Sequence, residues 1–121
     1  MSEEDSQKLV FETAAKLFAL LATPMRLRII GAVCEHERNV SELLELIGTT
    51  QPNMSQHLAT LHRNGILARR RNGAQIYYSL QNEKVAMLCR AVCTQVAIEM
   101  DDDTGVQPRE RLMPLGQRKN G

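Results

Sequence analysis

Residues 49–80 read TTQPNMSQHLATLHRNGILARRRNGAQIYYSL, a stretch without a single Asp or Glu. All 14 acidic side chains of this 121-residue chain lie outside it. It keeps Arg63, Arg69, Arg70 and Arg71 and mixes them with Gln, Asn, Ser, Thr and His. That balance suits a surface that approaches a polyanion. The same residues carry a folding pattern. Thr50 or Gln51 caps a helix whose first turn tolerates Pro52, since the missing N–H is unpaired there anyway. At ~100° per residue, Met54, Leu58 and Leu61 share its inward side, while Pro52, Asn53, Gln56, Ala59, Thr60 and Arg63 share the other. Gly65 ends the helix. The runs ILARRR and AQIYYSL then make two short strands around Asn72-Gly73, a strong hairpin signal.

Working outward, Ser41, Leu43, Leu44 and Ile47 form a short helix before the stretch, closed by Gly48. EHERN, ahead of it, is a polar connection. A helix to about Cys34 begins with Thr23 as N-cap and Pro24 at its first position, and buries Leu27, Ile30 and Val33. Ser6 to Leu21 is an amphipathic helix with Val10, Ala14, Leu17 and Leu21 at helical spacing and Phe11 and Phe18 seven apart. After the hairpin, Asn82 caps a last long helix from Glu83 to about Met100. From Asp101 onward periodicity gives way to Gly, Pro and charge, so residues 1–100 are expected to form one domain and 101–121 a mobile tail.

The order is α-α-α-α-β-β-α: mainly α with a small β-hairpin. A short helix, a turn and a second helix exposing amides and hydroxyls make a helix-turn-helix, and the Arg-tipped hairpin after it is a wing. Composition agrees. Aromatic residues are 3% and Trp is absent, so the core is built from Leu, Ile, Val, Ala and Met, which favours helices over a β-sandwich. The net charge of +1 says little, because the charge is segregated along the chain. No apolar run approaches the ~20 residues that span a bilayer, and the acidic N-terminus MSEEDSQK lacks a signal-peptide pattern. A cytoplasmic protein without a membrane or cofactor partner is expected, with Cys34, Cys89 and Cys93 reduced. No enzyme is expected either: the only dense carboxylates, Asp101 to Asp103, sit in the tail.

LATPMRLRII, VSELLELIG, TQPNMSQHLATLHRNGIL and RRNGAQIYYSL together resemble the ArsR/SmtB family of bacterial winged-helix repressors, over roughly Ala15 to Ile98. The resemblance implies a winged helix-turn-helix homodimer, joined through its first and last helices, that binds a double-stranded DNA operator and leaves it when an inducer arrives. The chemistry of the residues fits. A helix N-terminus aims amides at phosphate, and Gln and Asn pair bidentately with adenine edges in the major groove. Candidate DNA contacts are Thr50, Gln51, Asn53, Ser55, Gln56, His57, Thr60 and Arg63 on the fourth helix, with Arg69 and Arg71 on the wing. Strand alternation points one of the three wing arginines away from the other two. The alternative for the helix is a solvated polar face, and for His57 a structural hydrogen bond.

The family's metal ligands can be looked for. The positions of one group's Cys-x-Cys pair hold Leu44 and Leu46, and the last helix has no His to serve the other familiar site; His36 and His62 are lone surface histidines. No metal site is expected on those grounds. Thiols remain. Cys89 and Cys93 are i,i+4 on the last helix and share a face, while Cys34 ends the second. Family members that sense persulfide use one cysteine on each of these helices, at positions matching Gly31 and Ala97 here. The displacement is about one turn on each helix, in compensating directions if the two cross antiparallel. Three readings stand: a persulfide or oxidation switch through Cys34 with Cys93 or Cys89, arsenite or soft-metal binding by the same three thiols, and small buried hydrophobes in a regulator without an inducer. In the switch reading, Arg90 would lower the pKa of a neighbouring thiol.

Overall fold

Helix α1, Glu3–Leu21, starts three residues before the expected Ser6, because the Ser2 hydroxyl accepts the Asp5 amide at 3.0 Å. Glu3, Glu4 and Asp5 then complement the amide end of the helix. Thr23 caps α2, Pro24–Val33, by accepting the Arg26 amide at 3.0 Å. These elements belong to a computed structural model that describes residues 1–100 together with Arg111 and Leu112. The expected mobile tail lies outside the described residues, apart from those two, which are helical.

EHERN is more than a connection. Arg38–Asn39 forms a short strand, β1, whose residues pair antiparallel with Tyr78 and Tyr77. Asn39 also caps α3, Val40–Ile47, in a reciprocal box: its side chain accepts the Glu42 amide at 2.8 Å, and Glu42 accepts the Asn39 amide at 3.1 Å. Gly48 closes α3 as expected, and Thr50 caps α4, Gln51–Arg63.

The end of α4 aims the wing. Gly65 has φ +75°; its amide donates to the His62 carbonyl and the Ile66 amide to the Leu61 carbonyl, each at 3.0 Å. This paired closure turns the chain from helix to strand within two residues, and a side chain at Gly65 would meet the left-handed backbone penalty. Strand β2, Leu67–Asn72, then pairs antiparallel with β3, Gln75–Leu80. The turn lies one residue later than the sequence suggests. Asn72 pairs with Gln75, so the two-residue loop is Gly73-Ala74, and Gly73 alone carries positive φ, +65°. Glycine at the first loop position fits the type II′ pattern. The sheet order is β1-β3-β2. Asn82 accepts the Val85 amide and starts α5, Glu83–Glu99.

The core gathers Ile29, Ile30, Leu43, Met54, Leu58, Leu61, Ile66, Leu67 and Val85, all nearly or wholly buried. It lies under α2, α3, α4 and the base of the sheet. Leu27, expected inside, is exposed, because the buried face of α2 runs through Ile29, Ile30, Ala32 and Val33. The first helix contributes little: Leu21 is its one buried residue, while Leu9, Val10, Phe11 and Phe18 stand in solvent. Helix α5 likewise buries Val85 and Ala97 but exposes Met87, Val92, Val96, Ile98 and Met100. Among the described residues no helix is long and apolar enough to cross a membrane.

Candidate nucleic-acid interface

Met54, Leu58 and Leu61 anchor α4 in the core, which turns Gln51, Pro52, Ser55, Gln56, Ala59 and Arg63 outward, all of them exposed. Several of the other candidate residues are already engaged. Thr50 accepts the Asn53 amide at 3.3 Å, and the Asn53 side-chain amide donates to the Thr49 hydroxyl at 2.8 Å. Thr60 donates its hydroxyl to the Gln56 carbonyl at 3.0 Å. These bonds set the start and middle of the helix. Gln51, Ser55, Gln56 and Arg63 make no side-chain hydrogen bond or ion pair among the described residues, and their polar groups meet water. The first turn of α4 offers amides at the positive end of the helix, with no acidic residue in that turn.

His57 turns inward. Arg26 on α2 donates its Nε to His57 Nδ1 at 3.2 Å and its Nη1 to the Leu20 carbonyl at 3.0 Å. An Nδ1 that accepts places the ring proton of the neutral form on Nε2. Burial, followed by the Arg26 charge, pushes the His57 pKa below its ordinary value of 6.5. Two residues along α2, Arg28 donates Nη2 to the Ile47 carbonyl at 3.1 Å, where α3 ends. Helix α2 thus holds the turn of the helix-turn-helix through one arginine and the reading helix through another. Sequence reasoning offered a structural hydrogen bond for His57 without its partner and missed the Arg28 contact; partners 31 and 19 residues apart leave no local signal.

On the wing, Arg69, Arg70 and Arg71 are all exposed, but they are not alike. Cross-strand pairing sets Arg70 opposite Tyr77, while Arg69 and Arg71 oppose Tyr78 and Ile76 on the other face. Arg70 stacks over the Tyr77 ring at 5.0 Å from its centre and grips the Glu37 carboxylate with Nε, at 3.2 Å, and Nη2. The hydrogen bonds from Arg70 hold the Glu37 carboxyl below the ordinary carboxylate value and raise Arg70 in turn. Arg69 and Arg71 have no ion pair among the described residues.

The three cysteines are free thiols. Cys34, at the end of α2, is exposed and donates its Sγ to the Gly31 carbonyl at 3.2 Å. It lines an open cleft of about 330 Å³ with Gln81, Asn82, Glu83, Met87 and Arg90. Cys89 and Cys93 are half-buried, and Cys89 packs against the core. Burial pushes the Cys89 thiol above its ordinary value, and the thiols of Cys93 and Cys34 push it further. The cleft sets Cys34 against Met87 and Arg90 of α5, the helix that carries Cys89 and Cys93. For Cys89 the lowering expected from Arg90 is not found: removal from water comes first and the shift is upward. Among the described residues no three His, Cys, Asp or Glu are placed to hold a metal ion, which gives the three-thiolate reading no support within a single protomer.

Known proteins are similar to this chain in sequence and fold. Residues 23–69, which span α2, α3, α4 and the start of the wing, match the family described as bacterial regulatory protein, arsR family. The biofilm growth-associated repressor of Xylella fastidiosa is 40% identical over 99 residues, covering 78% of this chain and 86% of that one. The crystal structure of the repressor BigR from Xylella fastidiosa superposes with a TM-score of 0.67 at 39% identity, covering 83% of this chain and 99% of that one. Reduced HlyU from Vibrio cholerae gives a TM-score of 0.68 at 26% identity, covering 72% of this chain and 92% of its own. With an outward polar helix, an arginine-bearing wing and these relatives, the chain belongs to the arsR family of bacterial regulatory proteins: it is a winged helix-turn-helix, DNA-binding transcriptional repressor and not an enzyme.

Proposed function

We propose that this repressor works in the cytoplasm as a homodimer built on α1 and α5 within residues 1–100. In it, α4 reads a palindromic operator in the major groove and the wing follows the backbone. One observation carries the reading: within an acid-free segment, Gln51, Ser55, Gln56 and Arg63 of α4 and two of the three wing arginines are exposed, with no side-chain partner among the described residues. Gln51, Ser55 and Gln56 are the base readers, with Gln56 in the middle of the exposed face. Arg63, Arg69 and Arg71 hold phosphates, and Thr50, Asn53 and Thr60 shape the helix that presents the readers. His57 positions α4 through Arg26.

The test compares Gln56→Ala with Arg71→Ala. A lost bidentate base contact costs roughly 1–3 kcal/mol and relaxes sequence preference. A lost phosphate contact weakens operator and random DNA alike and lowers the salt slope by about one. Unchanged affinity of Gln56→Ala for both DNAs removes α4 from base reading. Selective loss of operator binding in Arg71→Ala makes that arginine a reader of sequence or groove shape.

The inducer reading is thiol chemistry: a persulfide or oxidant acts on Cys34 with Cys93 or Cys89. The exposed Sγ of Cys34, which shares the cleft with Arg90, supports the first thiol, and the place of Cys93 on α5, whose Met87 and Arg90 line that cleft, supports the second. HlyU, which shares the fold, is described in its reduced form. The raised pKa and core packing of Cys89 favour Cys93 as partner and leave Cys89 a small apolar filler.

A further inference from the structure

Among the described residues, Glu37 is the one acidic side chain that hydrogen-bonds or ion-pairs with the acid-free segment. It sits just before β1, 33 residues from Arg70 in sequence. β1 lies at one edge of the sheet and β2 at the other, so the contact passes over β3, where Tyr77 lies beneath the guanidinium. Two of the arginine's nitrogens engage the two carboxylate oxygens. This is the fork geometry with which arginine takes a phosphate.

We infer that Glu37 is a specificity-determining residue that stands in for a DNA phosphate: it occupies Arg70 and withholds it from the nucleic acid, so that only Arg69 and Arg71 of the wing triplet add backbone affinity. The inference rests on the DNA-binding reading above and deepens it. A phosphate could take the Nε–Nη2 fork of Arg70 only by displacing a carboxylate already seated on those donors, which leaves it the Nη1 edge. It would also come to rest beside that carboxylate, at a cost in like-charge repulsion. The pair is neutral, so it releases no counterion on binding. Tyr77 adds a second restraint, because leaving Glu37 also means leaving the ring face. What the protein gains is a limit on sequence-independent affinity, which the stretch of arginines would otherwise raise.

The experiment measures the salt dependence of binding to the operator and to a random duplex of equal length. It uses the full chain and the variants Glu37→Gln, Arg70→Gln, the double variant, Arg71→Gln and Glu35→Gln. Each phosphate contact adds about 0.9 to the slope, so one more or fewer changes the loss between 50 and 200 mM salt by about 3.5-fold. Arg70→Gln is expected to keep the wild-type slope. Glu37→Gln frees the guanidinium and steepens the slope by about one on both DNAs, and the double variant returns to wild type. Glu35→Gln removes the same charge two residues away, from an exposed side chain without an ion pair among the described residues, and is expected to leave the slope unchanged. The pair is about half exposed on each side, so circular dichroism should report one fold throughout. The assignment is overturned if Arg70→Gln flattens the slope as Arg71→Gln does, since Arg70 then binds phosphate itself. It is overturned equally if Glu35→Gln matches Glu37→Gln, which would make the effect one of net charge. An Arg71→Gln variant with an unchanged slope, beside the expected results at Glu37 and Arg70, would overturn the wing reading of Arg71 and leave this assignment standing.

Discussion

Replacing Phe11 with Ser should separate the proposed dimer into folded monomers. Phe11 is 68% exposed in the protomer, on a helix whose one buried residue is Leu21, with Leu17 and Leu20 half-buried against the core. A phenylalanine side chain offers roughly 200 Å², so about 140 Å² of Phe11 is left for a partner to cover. At about 25 cal/mol per Å², complete coverage stabilises the dimer by about 3.5 kcal/mol per copy, or about 7 kcal/mol for the two copies that each dimer holds. Each ~1.4 kcal/mol is a factor of ten, which sets an upper limit of about a hundred-thousandfold on the change in dissociation constant. A partly covered ring should still give at least about a hundredfold. The monomer should not notice, because Phe and Ser have similar helix propensities and the ring touches little of the core. Sedimentation velocity from nanomolar to micromolar concentration reads the association, and circular dichroism reads the helix. If Phe11→Ser and Phe18→Ser both keep the wild-type dissociation constant, α1 is not part of the interface. If Val96→Ser breaks a dimer that neither Phe substitution touches, the seam belongs to α5 alone.

The thiol reading makes two further statements. Treatment with polysulfide or diamide should release wild-type protein from the operator and leave a sulfur link between Cys34 and Cys93 in mass spectra. Cys34→Ser and Cys93→Ser should each abolish both effects, while Cys89→Ser keeps them; a response that survives both of the first two variants sinks the switch. For pH, the lowered pKa of His57 means that the folded chain favours the neutral ring. That stability is complete above the ordinary value of 6.5 and falls as pH drops below it, since the unfolded chain takes up the proton first. Melting temperature should therefore fall more steeply below about pH 6.5 in wild type than in His57→Gln, and parallel profiles would refute the role given to the Arg26 contact.

Patterns repeating within a helical turn or along a strand were readable before any coordinates. Met54, Leu58 and Leu61 against Pro52, Gln56, Ala59 and Arg63 divided α4 as observed, though Asn53 and Thr60, expected on the outer face too, are half-buried; alternation singled out one wing arginine from the other two. What escaped were features made by partners far apart in sequence. Two residues cannot announce a strand by periodicity, so Arg38 and Asn39 became β1 only through Tyr78 and Tyr77. Leu27 fitted the apolar stripe of α2 but was exposed because Ile29 and Ala32 take the buried arc. The turn moved from Asn72-Gly73 to Gly73-Ala74 because the strand register, not the dipeptide, fixes which residues lie between the pairs. The inward His57 and the occupied Arg70 depended on Arg26 and Glu37, which no local window contains. Cys89 showed the same limit: the sequence displayed an adjacent arginine but not the burial that sets the direction of its pKa.

The strand order β1-β3-β2 leaves β2 with one side unpaired, and an open strand edge is a template on which another chain can add. Three consecutive arginines lie along that edge. Two copies approaching edge to edge would bring six guanidinium groups together, two of them neutralised by Glu37, and the remaining positive charge opposes the stacking of sheets into aggregates. The protein thus carries on its wing a guard against self-association of the β kind, one that works when no DNA is bound and the edge is bare. It follows that neutralising several wing arginines at once costs colloidal stability as well as affinity, and that solubility at low salt belongs among the controls for any such variant.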